Sequence, residues 1–338
     1  MIEFLRLPEG RKRTLIAQTA METGMTEKAI EKDWWVTLVL RAIFTLPMAE
    51  HFVFKGGTSL SKGWGLVERL SEDIDIALAP EAFDREYKLT PTHSYVKVLK
   101  REGAVYTSTV LAEALQARLL EMGLLDTLFS LSVALIPPTR PDTDPQTILV
   151  HYNSLYPANM YIADTVKVEF GVRALKEPFA DVSIVSEIGR HIGVASFTEQ
   201  PFTVRVVVPV KTLIEKLLLL HEKFTGGEPD QIKIAERQSR HLADIVRMKQ
   251  KGIHTEILAD TTLFEAIVVH RRHYIRLRGV DYDQMTVATL RIVPPPAMEA
   301  KFREDYAVMR EEMIYGQAQD FDTILAELKE LTQLLQQK

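Results

Sequence analysis

A glycine pair followed by two alternating carboxylates marks the part of this chain best suited to chemistry. Phe54-Lys55-Gly56-Gly57-Thr58-Ser59-Leu60 leads out of an apolar stretch, and Arg69-Leu70-Ser71-Glu72-Asp73-Ile74-Asp75-Ile76 follows soon after. Glycines let backbone N–H groups come close to a polyphosphate without obstruction. Thr58 and Ser59 then open a short helix whose N-terminus favours an anion. The alternation Asp73-Ile74-Asp75-Ile76 has the period of a strand, so both carboxylates share one face and both isoleucines turn to the core. Left alone, such a pair would repel until one member took up a proton. A hard divalent ion such as magnesium, or manganese in its place, keeps both ionised and bridges them to phosphate oxygens. A two-metal site needs a third carboxylate, and Glu169 in Val166-Lys167-Val168-Glu169-Phe170 is the candidate, alternating with Lys167 onto one face. Ser71, two residues before Asp73, either sets its hydroxyl beside bound phosphates or bonds local backbone where the strand begins. Asp-x-Asp alone and Gly-Gly alone are common, but their ordered combination is specific.

That combination resembles the polymerase-β-type nucleotidyltransferase superfamily and, within it, the AbiEii/AbiGii toxin family. Further stretches carry the likeness over about residues 10 to 250. Glu31-Lys32-Asp33-Trp34-Trp35 and the residues to Arg41 resemble the family's N-terminal helix. Lys55 to Leu60 and Arg69 to Ile76 resemble its first motif. Lys167-Val168-Glu169 falls at its third acidic strand, Pro209 to Leu217 resembles its lysine motif, and Arg240-His241-Leu242-Ala243-Asp244-Ile245 its last motif. His241 stands where members often carry aspartate, which leaves Asp244 as the functional acid there. The resemblance implies an Mg-dependent transfer of a nucleoside monophosphate from NTP, with pyrophosphate released. It implies catalytic roles for Asp73, Asp75, Glu169, Lys216 and Asp244, of which the first three hold metal. It further implies that Lys55, Gly56, Gly57, Thr58, Ser59, Arg69, Ser71 and Lys216 bind the nucleotide. It points to the toxin of a bacterial type IV toxin–antitoxin or phage-defence system, with tRNA as acceptor and a cognate antitoxin as partner.

These residues must be positioned by an α+β fold. The expected architecture is a polymerase-β-type mixed sheet flanked by helices over residues 1–208, followed by a helical domain over 209–338 that brings Lys216 and Asp244 to the cleft. Thr26 is a plausible N-cap for a helix to Ile43 with Trp34 and Leu38 on its apolar stripe. A helical segment is expected around Thr109 to Gly123. Phe129–Ile136 and Thr147–Tyr152 read as strands on either side of a proline-rich turn, which suggests antiparallel extension of the sheet. Val166–Val172 and Val204–Val208 add two more strands. Pro209 opens a helix to about Phe224, a loop follows at 225–229, and helices are expected at 232–250, at 255–276 and, in one or two pieces, at 297–337. On its own helix Asp244 has Arg240, His241 and Arg247 as neighbours, so an intrahelical ion pair is the plain reading of it.

Composition narrows the classes. The chain has 338 residues, 46% of them hydrophobic, enough for sizeable cores, and a formal net charge of -5. With no cysteine it has no disulfide framework, thiolate metal site or cysteine nucleophile. The N-terminus does not read as a signal peptide and no apolar run is long enough to span a bilayer, so a cytoplasmic, membrane-free protein is expected. Because the global charge is acidic, contact with RNA must rest on local patches. Lys97, Lys100 and Arg101 form one, and Arg271 to Arg278 a denser one. The lone pairs His270/His273 and His221-Glu222 complete no metal motif. Two other functions remain open: a nucleotidyltransferase acting on a protein or small molecule, and an inactive module that binds a nucleotide or a partner.

Overall fold

The computed structural model describes residues 1–157, 162–192, 199–226 and 237–338. The chain divides into two compact units. The first comprises residues 1–63, 70–88 and 94–207, and the second 64–69, 89–93 and 208–338. This differs from a contiguous split at 208, because two short segments early in the chain group with the second unit.

The first unit is α+β, built on a seven-stranded mixed sheet in the order β3-β4-β5-β2-β1-β7-β6. These strands are β1 (Phe52–Lys55), β2 (Asp73–Leu78), β3 (Phe129–Val133), β4 (Gln146–Tyr152), β5 (Thr165–Gly171), β6 (Phe179–Ile184) and β7 (Phe202–Val207). Alternation in β2 puts Ile74 and Ile76 wholly in the core, while Asp73 and Asp75 on the other face stay partly exposed. β2 runs antiparallel to β1 and parallel to β5. On the β5 side, β4 and β3 extend the sheet antiparallel, joined across the proline-rich segment. The strand β6 is not among those expected; among the described residues it stands at the sheet edge beside β7.

One helix dominates this unit. Glu27–Phe44 begins at Thr26, whose hydroxyl accepts a hydrogen bond from the Ala29 N–H at 3.2 Å. Instead of a single apolar stripe, almost its whole circumference is buried, the pattern of a core helix. Trp34 packs on Phe4 with ring centres 4.9 Å apart, and Trp35 stacks on Tyr152 at 4.7 Å. The segment expected to be helical from Thr109 is longer: it starts at His93, passes a wider turn at Thr107–Leu111 and ends at Glu121.

In the second unit Pro209 stands at the first turn of the Pro209–Thr225 helix, where its missing N–H costs nothing. The loop expected at 225–229 is described only to Gly226; its remainder, and the expected helix start at 232, lie outside the described residues. The Ser239–Gln250 helix is central, packing on Pro209–Thr225, Pro296–Glu312 and Phe321–Gln336. Its first turn is held by Asp305, which accepts from the Ser239 N–H at 2.9 Å. The expected 255–276 helix is two, His254–Ala259 and Thr262–Tyr274, because the Asp260 side chain caps the Thr262 N–H at 2.9 Å and resets the chain.

Candidate nucleotidyl-transfer site

In the first unit the residue before the glycine pair and the carboxylates lie on neighbouring rungs. Lys55 pairs with Asp75 across β1 and β2, and Asp75 pairs with Glu169 across β2 and β5. Asp73 lies opposite Lys167 one rung pair away, on the same face. Gly56 leaves β1 with a φ of +81°, a conformation that favours glycine. A Cβ there would fall 2.2 Å from Asp75 Oδ2, so the missing side chain is what leaves room for this carboxylate.

The hydroxyls of the motif are spent on shaping it. Thr58 and Ser59 are buried. Thr58 Oγ1 donates to the Asp73 carbonyl and lies 2.7 Å from Ser71 Oγ, which ties the glycine turn to the start of β2. Ser59 Oγ donates to the Gly56 carbonyl at 2.9 Å. The helical turn starts at Gly56 itself rather than at Thr58.

Lys167 joins the acids. Its ammonium lies 2.6 Å from Glu169 Oε1. Partial burial disfavours that charge, but the hydrogen bond to Glu169 and the fields of Glu169, Asp73 and Asp75 outweigh it and raise the lysine above its ordinary value. All three carboxylates therefore act on one cation. Among the described residues, no three His, Cys, Asp or Glu side chains are gathered into a ready-made metal cage. The donor set nevertheless suits a hard cation, being all carboxylate, on one face, with the Asp75 side chain in a space that a Cβ at residue 56 would fill.

The second unit holds a buried charge cluster. Arg69 grips Asp244 with two hydrogen bonds, Nε to Oδ1 at 2.7 Å and Nη2 to Oδ2 at 2.8 Å, and Lys216 Nζ reaches Oδ2 at 2.9 Å. Asp244 is 1% exposed, and Lys216 is buried rather than solvent-facing. Burial alone would raise the Asp244 carboxyl, but Arg69 and Lys216 hold it well below the usual carboxylate range. The ion pairs of Asp244 are therefore long-range, not intrahelical; Arg247 instead pairs with Glu68 at 2.5 Å. His241 Nδ1 lies 3.2 Å from Lys216 Nζ. Burial, with Lys216 and Arg240 nearby, pushes His241 well below its ordinary value, so the neutral ring accepts from the ammonium. Residues 314–315 lie along this cluster, with Ile314 bridged antiparallel to Arg69. A pocket beside it is walled by Glu68, Arg69, Asp244, Arg247, Tyr306 and Ile314.

Pairing takes up one cation of the first basic patch, where Lys97 and Arg101 stay exposed, and two arginines of the second. Lys100 meets Asp142 at 2.8 Å, the half-buried Arg271 donates to Glu222 at 2.7 Å, and Arg272 pairs with Asp283. Arg276 and Arg278 remain exposed. His270 stacks on Tyr274 with ring centres 4.5 Å apart, and His221 Nδ1 accepts from the Arg291 N–H at 3.0 Å. Sequence reasoning missed Lys62, which pairs with Asp33, and the hold of Lys32 on Glu72 at 3.3 Å. The available signal was a run of charges, Glu31-Lys32-Asp33, set directly against the apolar run Trp34-Trp35-Val36.

A family model described as nucleotidyl transferase AbiEii toxin, type IV TA system, matches residues 38–327. No curated protein matches the chain. No helix among the described residues is long and apolar enough to cross a membrane.

Proposed function

Because the chain belongs to the AbiEii nucleotidyl transferase toxin family of type IV toxin–antitoxin systems, we propose that it moves a nucleoside monophosphate from NTP onto tRNA, releasing pyrophosphate in a magnesium-dependent reaction. The observation that carries this reading is the rung on which Asp75 faces Glu169, with Gly56 cut back to make room for the aspartate. Asp73, Asp75 and Glu169 would hold magnesium. When bound, that ion would supply charge neutralisation on the phosphates and make the acceptor hydroxyl more acidic.

The remaining work falls to the chain. Gly56 and Gly57, with the backbone of Thr58 and Ser59, approach the β and γ phosphates. Lys55, Arg69 and Ser71 flank that turn in sequence and complete the nucleotide-binding set. Lys216 offsets the charge that grows on the leaving pyrophosphate, as positioned cations do in phosphoryl transfer. Asp244 holds Lys216 and Arg69 in fixed orientation, and Glu169 assists in taking the proton from the acceptor. An antitoxin protein is the partner such a toxin requires, and the cytoplasm is where NTP and tRNA meet.

Incubation with each labelled NTP, magnesium and total RNA, comparing the unaltered protein with Asp73→Ala, tests this reading. Label should enter the tRNA fraction only with the unaltered protein. Equal labelling by both proteins would sink the catalytic assignment, and label in protein or small molecules alone would replace the acceptor.

A further inference from the structure

Two adjacent side chains of the Glu27–Phe44 helix reach the two halves of the candidate site in opposite ways. Lys32, 1% exposed, donates to the carbonyls of Ala163 at 2.8 Å and Thr165 at 2.5 Å and pairs with Glu72 Oε2 at 3.3 Å. Thr165 opens β5 and Glu72 immediately precedes β2, so one ammonium binds the same end of the two parallel strands that carry Glu169 and Asp73. Asp33 faces the other half. Its Oδ1 accepts from Lys62, in the turn Ser59–Gly63 that continues the glycine motif, and its Oδ2 accepts from the Glu187 N–H at 2.8 Å. Both members of this pair are buried.

We infer that Lys32 and Asp33 are positioning residues that act separately on the proposed reaction: Lys32 sets the carboxylate strands for the cation, and Asp33, through Lys62, sets the glycine turn for the nucleotide. The physical reason is that a buried ion pair has little freedom to relax, so the two elements it joins keep one spacing. Residues bonded directly to metal ligands commonly change metal affinity by about 10- to 100-fold when removed, which bounds the effect of Lys32 from above, since it holds the strand ends and not the carboxylates themselves. The inference rests on the nucleotidyltransferase reading and adds to it a division of labour along one helix.

The test uses the full-length protein and binding as its readout. Manganese binding is followed by the loss of the free-ion spin resonance signal, and magnesium–NTP binding by calorimetry. Lys32→Met should weaken manganese binding by about 10-fold, and by no more than about 100-fold, with the smaller effect on NTP. Asp33→Asn and Lys62→Met should weaken NTP binding by a similar factor and leave manganese binding near the parental value, while Lys62→Arg restores NTP binding. Trp35→Ala, on the same helix, serves as the control for general loss of stability. If all variants lose manganese and NTP binding in step with their folded fraction, as Trp35→Ala does, the positioning role is overturned and the site remains. If the unaltered protein binds neither ion nor nucleotide, both this inference and the proposed function fall.

Discussion

Gly56 and Asp75 are so close that an alanine at residue 56 would set its Cβ 2.2 Å from one carboxylate oxygen and 2.9 Å from the carboxyl carbon. The glycine is thus required twice, once for its φ of +81° and once for the space beside the acid. Gly56→Ala should cost about 1–3 kcal/mol of stability and, by displacing Asp75, remove most nucleotide transfer. Thermal unfolding and NTP labelling check the two effects. Transfer at the parental rate would mean that Asp75 turns aside harmlessly.

Asp244 neutralises two buried cations, and an amide cannot. Asp244→Asn should therefore lower unfolding stability by about 3–5 kcal/mol, the usual cost of breaking a buried ion pair from one side. Urea titration measures this directly.

The same contact has a pH signature. Arg69 and Lys216 outweigh the effect of burial and hold the Asp244 carboxyl below its unfolded value. Its contribution is therefore complete above about pH 4, the unfolded aspartate range, and is lost as pH falls through the lower folded value. The stability gap between the unaltered protein and Asp244→Asn should be constant near neutrality and shrink on acidification below that range. A gap independent of pH would contradict the ion pair.

Removing Lys216 has a different consequence. Arg69 still holds Asp244, so Lys216→Met should leave the second unit folded while slowing pyrophosphate release by about 100-fold, comparable to losing one charge-stabilising group. Single-turnover release of labelled pyrophosphate is the measurement. An unchanged rate would restrict Lys216 to a structural part.

Trp35 stacks on Tyr152 within the core of the first unit. Truncation to alanine should cost about 3–5 kcal/mol, visible as a lower urea midpoint. A loss below 1 kcal/mol, on the order of a surface change, would show that the core closes over the gap.

The local parts of this architecture were legible in the chain. Alternation set Ile74 and Ile76 inward, Thr26 announced its helix, and Pro209 announced another. What escaped was decided by distant partners. Arg69 and Asp244 are separated by 175 positions, and no periodicity connects them. The edge strand β6 has a weak pattern of its own, and its place depends on β7. The sequence pattern suggests that Thr58 and Ser59 open the helix at the phosphates, yet their hydroxyls bind the motif's own backbone, because Asp73 and Gly56 offer carbonyls within reach.

The assignment of residues 64–69 to the second unit, while 56–63 and 70–78 belong to the first, makes the division a woven one. A fragment beginning at Val208 would carry a sealed aspartate stripped of its guanidinium clamp, and a fragment ending at Val207 would leave Arg69 without the acid it grips. Trimming one end of the gene there separates this pair, so shuffling or truncation in this protein must treat residues 64–69, and with them 89–93, as property of the second unit.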